Sequence, residues 1–82
     1  MVEIHFEDKF QRFISKVKDN LFKERVSKQV ERIIKDPLIG KPMQYNRKGT
    51  REVYIKPYRL SYAYIPEEDK IIFLEVYHKD EQ

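Results

Sequence analysis

The chain contains no cysteine. That excludes a disulfide framework and a thiolate metal site, so packing and surface charge must carry its stability. No apolar run approaches the ~20 residues that a membrane span requires. The first residues, MVEIHFEDKF, are too acidic and too poor in apolar side chains for a signal peptide. The cytoplasm is therefore the expected location, with no membrane partner. Only two glycines occur, and none builds a Gly-rich phosphate loop. HExxH, GxSxG and a paired-carboxylate motif are also absent, so neither a metal nor another cofactor is expected. With 82 residues there is room for one small domain, 1–82. A hydrophobic content of 40% is enough to fold it.

Acidic residues are scarce in one stretch. Residues 1–36 hold nine Lys/Arg and seven Asp/Glu, and residues 67–82 hold two and six. Between them, residues 37–66 carry Lys41, Arg47, Lys48, Arg51, Lys56 and Arg59 against the single acid Glu52. The net charge of +3 thus conceals a central basic block. Such a block is an electrostatic footprint for a polyanion, or else a sheet face with incidental cations.

The hydrophobic pattern gives the order β-α-α-β-β-β. Val2, Ile4 and Phe6 alternate with Glu3 and His5, as in a half-buried strand. His5 has no second histidine near it and reads as a surface residue. Phe6, Phe10, Phe13, Ile14, Val17 and Leu21 then recur at helical spacing, predicting a helix over 7–18. Asp19 or Asn20 can cap a second helix running to Lys35, with Phe22, Val26, Val30, Ile33 and Ile34 as its stripe. Asp36-Pro37 ends it. The short join predicts an antiparallel helix hairpin, which needs a sheet to bury its stripes.

A long basic loop, 37–50, leads to strands near 51–56, 59–66 and 70–77. Their short connections suit hairpins. The acidic turn Glu67-Glu68-Asp69 reads as a hairpin tip rather than a metal site. The fold class is α+β, with both helices on one face of a mainly antiparallel sheet and the other face partly open. IIFLEVY reads as a central strand.

Alternation places Leu60, Tyr62 and Tyr64 under the helices, and Arg59, Ser61 and Ala63 on the open face. With Val53 and Ile55 inward, Glu52, Tyr54 and Lys56 join Arg59. The candidate constellation is Lys56, Arg59, His78 and Lys79, with Lys48 and Arg51 at the loop edge and Tyr54 as a stacking platform. Each suits a phosphodiester: Arg offers a planar fork, Tyr a face for an unpaired base, and His a proton near neutral pH. A plainer assignment also stands, in which Arg59 pairs with Glu52 across a hairpin and His78 caps a strand end.

G-K-P-M (Gly40 to Met43), G-T-R-E-V-Y-I (Gly49 to Ile55), P-Y-R-L-S-Y (Pro57 to Tyr62) and E-V-Y-H-K-D (Glu75 to Asp80) resemble the RelE/ParE superfamily of toxin–antitoxin toxins over nearly the whole chain. The resemblance implies a RelE-like mRNA interferase, a ribosome-dependent endoribonuclease cutting mRNA in the A site. A ribose 2′-OH would attack the adjacent phosphate. It implies as partners a RelB-like cognate antitoxin, the ribosome and mRNA, and operator DNA only through the antitoxin complex. Arg59 matches the family's strand arginine and takes phosphate and transition-state stabilisation. His78 and Lys79 take acid–base and phosphate roles, and Lys48, Arg51, Tyr54 and Lys56 hold RNA.

This sequence departs from the RelE type at Glu52 and Tyr54, where such toxins carry lysines. The sequence, running to Gln82, is not expected to supply the tyrosine that they carry beyond the last strand. The general base is therefore open. Glu52 could serve, or could only orient Arg59. The alternatives are a ParE-like gyrase inhibitor and a catalytically weak homologue that mainly binds antitoxin and operator DNA.

Overall fold

A computed structural model describes residues 2–43, 49–78 and 80. Strand β1 (Glu3–Phe6) is followed by helices α1 (Asp8–Lys16) and α2 (Asn20–Lys35). Then come β2 (Lys41–Pro42), β3 (Thr50–Ile55), β4 (Tyr58–Ile65) and β5 (Lys70–His78). The sheet order is β1-β5-β4-β3-β2. Only β1 and β5 run parallel, and every other pairing is antiparallel. The expected α+β architecture is the observed one, with one strand added. Two-residue β2 lies inside the stretch expected as loop, and a proline-containing pair carries no periodicity to announce it.

Local chemistry sets the element ends. Asp19 Oδ1 accepts the Leu21 and Phe22 N–H groups, satisfying donors that the first turn of α2 leaves free. Lys56 and Pro57 form the β3–β4 turn. Asp69 closes the acidic β4–β5 turn at φ 49°. Gly49 enters β3 at φ 80°, a left-handed conformation that costs glycine little.

The core lies between the helices and one sheet face. Phe10, Phe22, Val26 and Ile33 meet Ile55, Leu60, Tyr62, Ile71, Phe73 and Val76. Tyr62, Leu60, Phe73, Ile71 and Ile33 are wholly excluded from solvent. The Tyr62 hydroxyl is satisfied as it must be at that depth. It donates to the Pro37 carbonyl at 2.7 Å and accepts from the Gly40 N–H at 2.9 Å.

One irregularity matters for function. Ser61 opposes Glu75, but Tyr62 opposes Phe73, so Leu74 is an extra residue in β5. This bulge reverses the strand's alternation partway along it. Ile71 and Phe73 point to the helices, and so do Val76 and, opposite Tyr58, His78. Tyr77 consequently points to the uncovered face.

Candidate functional site

Two rows of side chains cross the uncovered face. Tyr54, Arg59 and Tyr77 form one, from β3, β4 and β5. Lys41, Glu52, Ser61 and Glu75 form the other, from β2 through β5. Ser61 and Ala63 are small, which leaves open space above β4 beside Arg59. Ser61 is buried against the sheet, its hydroxyl directed to the Glu75 carbonyl at 3.4 Å.

Glu52 ties the rows together. Arg59 Nη1 donates to Glu52 Oε1 at 3.1 Å, and the Tyr77 hydroxyl donates to Glu52 Oε2 at 2.7 Å. Each carboxylate oxygen is engaged, so rotation of the group would break two contacts at once. The Glu52 side chain is 18% exposed and that of Arg59 32%. The guanidinium has five N–H donors, and one of them reaches Glu52. The guanidinium also interacts with the Tyr77 hydroxyl, and about a third of the Arg59 side chain remains exposed. Burial raises the Tyr77 hydroxyl above its ordinary value of 10.0, and the neighbouring Glu52 carboxylate adds to the rise. Tyr77 therefore keeps its proton and stays a donor through the neutral range.

Of the residues expected to work together, Arg59, Glu52 and Tyr54 share this face. Lys56 stands exposed in the adjoining turn. Arg51 lies on the helix side, where its guanidinium donates to the Gly40 and Leu38 carbonyls at 2.7 and 3.2 Å. It fastens the chain leaving α2. His78 is also on the helix side, its ring edge-on to Tyr58 at 5.4 Å, with its Nδ1 accepting the Asp80 N–H at 3.2 Å. Tyr58 in turn packs on Phe13 and Phe22. Lys48 and Lys79 lie outside the described residues.

Sequence reasoning missed Tyr77. Strict alternation from Phe73 would turn Tyr77 inward and His78 outward, and the bulge does the reverse. A signal was present: Phe73 and Val76 are both core-type and three apart, with the charged Glu75 between them. In a regular strand residues three apart point to opposite faces, so both can enter one core only across an inserted residue. The basic block is likewise divided by the fold. Lys41 and Arg59 share the uncovered face, Arg51 faces the helices, and Lys56 sits in a turn.

Among the described residues, no group of three His, Asp or Glu is placed to hold a metal ion. No helix among them is long and apolar enough to cross a membrane.

A two-helix layer on one side of a five-stranded mixed sheet is a fold shared with solved toxin structures. A chain of the intact E. coli RelBE toxin–antitoxin complex superposes with a TM-score of 0.79 at 16% identity, covering 95% of this chain and 96% of that one. A chain of the RelBE2 toxin–antitoxin complex of Mycobacterium tuberculosis gives 0.77 at 24% identity, covering 95% and 98%. A metal-bound toxin from Helicobacter pylori gives 0.71 at 19% identity, covering 99% and 98%. No functionally curated protein matches the chain. The family model for the ParE toxin of type II toxin–antitoxin systems matches residues 4–82. The chain belongs to that family, within the RelE/ParE superfamily, and is a toxin of a toxin–antitoxin system.

Proposed function

We propose that this toxin is a ribosome-dependent mRNA endoribonuclease whose working face is the uncovered side of the sheet. The observation that carries the reading is Arg59, held in one orientation by Glu52 and Tyr77 while a third of its side chain stays exposed. A solvent-reachable cation on an open face suits a phosphodiester, and a half-buried ion pair that still reaches solvent contributes only modestly to fold stability.

In the reaction, the ribose 2′-oxygen forms a bond to phosphorus as the bond to the leaving 5′-oxygen breaks. The 2′-hydroxyl gives up its proton, and the leaving oxygen takes one from solvent water. Negative charge builds on the phosphorane, and Arg59 is the group placed to bear it. Glu52, next to Arg59, would accept the 2′-OH proton through the second lone pair that its contacts with Arg59 and Tyr77 leave on each carboxylate oxygen, and Tyr77 holds that carboxylate in place. Tyr54, beside Arg59, offers a face for an unpaired base. His78 and Lys79 keep acid–base and phosphate roles by resemblance alone. A RelB-like antitoxin would restrain the protein by covering this face with acidic residues, and operator DNA would be reached through that complex.

Inducing the protein and mapping mRNA 5′ ends on ribosomes tests the reading. Discrete cuts in translated messages are expected, and intact messages in arrested cells would refute it. The match to a ParE family model favours a second reading, inhibition of DNA gyrase without RNA cleavage. A supercoiling assay separates the two.

A further inference from the structure

Where β2 ends, the edge of β3 borders a concavity of about 290 Å³, close to the ~300 Å³ at which small-ligand sites begin. Its walls are Gln29 and Arg32 of α2, Ile39, Lys41 of β2, and Glu52, Val53 and Tyr54 of β3. Neither Arg32 nor Lys41 has an ion-pair partner among the described residues; Arg32 touches only the Gln29 amide, at 3.4 Å. Tyr54, 46% exposed, borders both this concavity and Arg59. Two cations without an ion-pair partner among the described residues and an accessible ring therefore sit beside the Arg59 site.

We infer that this concavity is a second nucleotide subsite, which carries a single-stranded RNA from Arg59 past Tyr54 and over the β3 edge to Lys41 and Arg32. The inference rests on the RNA reading of the Arg59 face and adds the direction of the strand. The uncovered face is electrostatically lopsided. Away from Arg59 toward β1, a polyanion meets Glu75 and then Glu3, whose carboxylate is shared by His5 and Lys70. Toward β2 it meets Tyr54, Lys41 and Arg32, with one acid, Glu52, already engaged by Arg59 and Tyr77. Phosphates follow the second path. Ile39 and Val53 give the concavity an apolar floor for a base, and the Gln29 amide can both donate and accept at a base edge. The site is tolerant of sequence, since stacking and phosphate contacts dominate it.

The test is fluorescence anisotropy with labelled single-stranded RNA probes, one of about 3 nucleotides and one of about 12, over a range of salt. For the Arg32→Ala/Lys41→Ala double variant, the long probe is expected to bind roughly tenfold more weakly, with the salt slope reduced by about 1.4 for two lost phosphate contacts on a single strand. The short probe is expected to bind unchanged. Circular dichroism melts confirm that the variant, altered only at exposed positions, is folded. Unchanged binding of the long probe overturns the inference, as does failure of the wild-type protein to bind either probe. Unchanged RNA binding combined with lost capture of an acidic antitoxin overturns it in favour of a protein site. Cleavage of translated messages by a double variant with normal RNA binding leaves the enzymatic reading standing while this one falls.

Discussion

Arg59 and Glu52 meet diagonally across the β3–β4 hairpin, Nη1 3.1 Å from Oε1, on the face that no helix covers. Both the plain and the functional expectations for these residues are compatible with that geometry. The pair is a cross-hairpin ion pair, and it also fixes a cation in the open. What separates the expectations is energetics: an ion pair with Arg59 32% exposed is worth about 0.5–1 kcal/mol at most in coupling. A double-mutant cycle with Glu52→Gln and Arg59→Ala should therefore return a stability coupling below about 1 kcal/mol, while either single change lowers RNA cleavage by about 100-fold or more. Coupling in stability with no effect on cleavage would assign the pair to the fold alone.

Tyr77 should behave as a positioning residue. Tyr77→Phe removes the donor to Glu52 Oε2 and leaves the ring in place. Stability should fall by about 1 kcal/mol. Cleavage should fall further than stability does, with the loss in the rate of the bound message rather than in its affinity. Tyr77→Leu, which also lacks the hydroxyl, should match it in rate.

The sequence disclosed the order of every element but β2, most of the two helix stripes and the inward set Leu60, Tyr62 and Tyr64, because a 3.6 or 2.0 period is written directly in residue spacing. Leu21, expected in the first stripe, is instead 72% exposed beyond the end of α1. It also disclosed the face shared by Glu52, Tyr54 and Arg59, since β3 and β4 are regular. It did not disclose the bulge at Leu74, and so it grouped His78 rather than Tyr77 with Arg59. A single inserted residue in a ladder shifts the period instead of erasing it, and its one trace in the sequence is the three-residue spacing of core-type Phe73 and Val76, both of which the fold buries. Arg51 failed for a different reason: charge in a sequence does not tell whether a guanidinium is bound for solvent or for backbone carbonyls, here those of Leu38 and Gly40 in the segment after α2.

The contact between Tyr62 and Gly40 should be intolerant of change. A Cβ at residue 40 would lie 2.5 Å from the Tyr62 hydroxyl oxygen and 2.7 Å from Cε1 of a fully buried ring. Gly40→Ala should cost about 1–3 kcal/mol by overpacking. Tyr62→Phe should cost a similar ~1–3 kcal/mol, because it leaves the Gly40 N–H and the Pro37 carbonyl without their partner. Chemical denaturation of each variant reads both.

Alkaline pH should unfold the protein through Tyr62 and Tyr77. Burial raises both hydroxyls above the ordinary value of 10.0. A group whose folded value is raised contributes stability that is complete below its unfolded value and is lost as pH rises through the folded one. Stability should thus show no contribution from these two groups to its pH dependence below about pH 9 and decline above pH 10. NMR of ring-labelled protein should show both resonances titrating above pH 10, and ionisation of either at or below 10 would contradict the geometry.

Core truncation provides the scale for these effects. Leu60 is fully buried between the helices and the centre of the sheet. Leu60→Ala should cost about 2–5 kcal/mol, which is enough to consume much of a small domain's stability. Equilibrium denaturation should place it well below every uncovered-face variant.

The central claim is that the uncovered face cuts message bound to a ribosome and that Arg59 is essential to the cut. The direct measurement adds purified wild-type and Arg59→Ala protein to ribosomes programmed with one defined mRNA and analyses the RNA ends. The wild-type protein should cut in the A-site codon and leave a 2′,3′-cyclic phosphate, and a folded Arg59→Ala variant should leave the message intact. Intact mRNA with the wild-type protein, alongside inhibition of gyrase supercoiling, would contradict it.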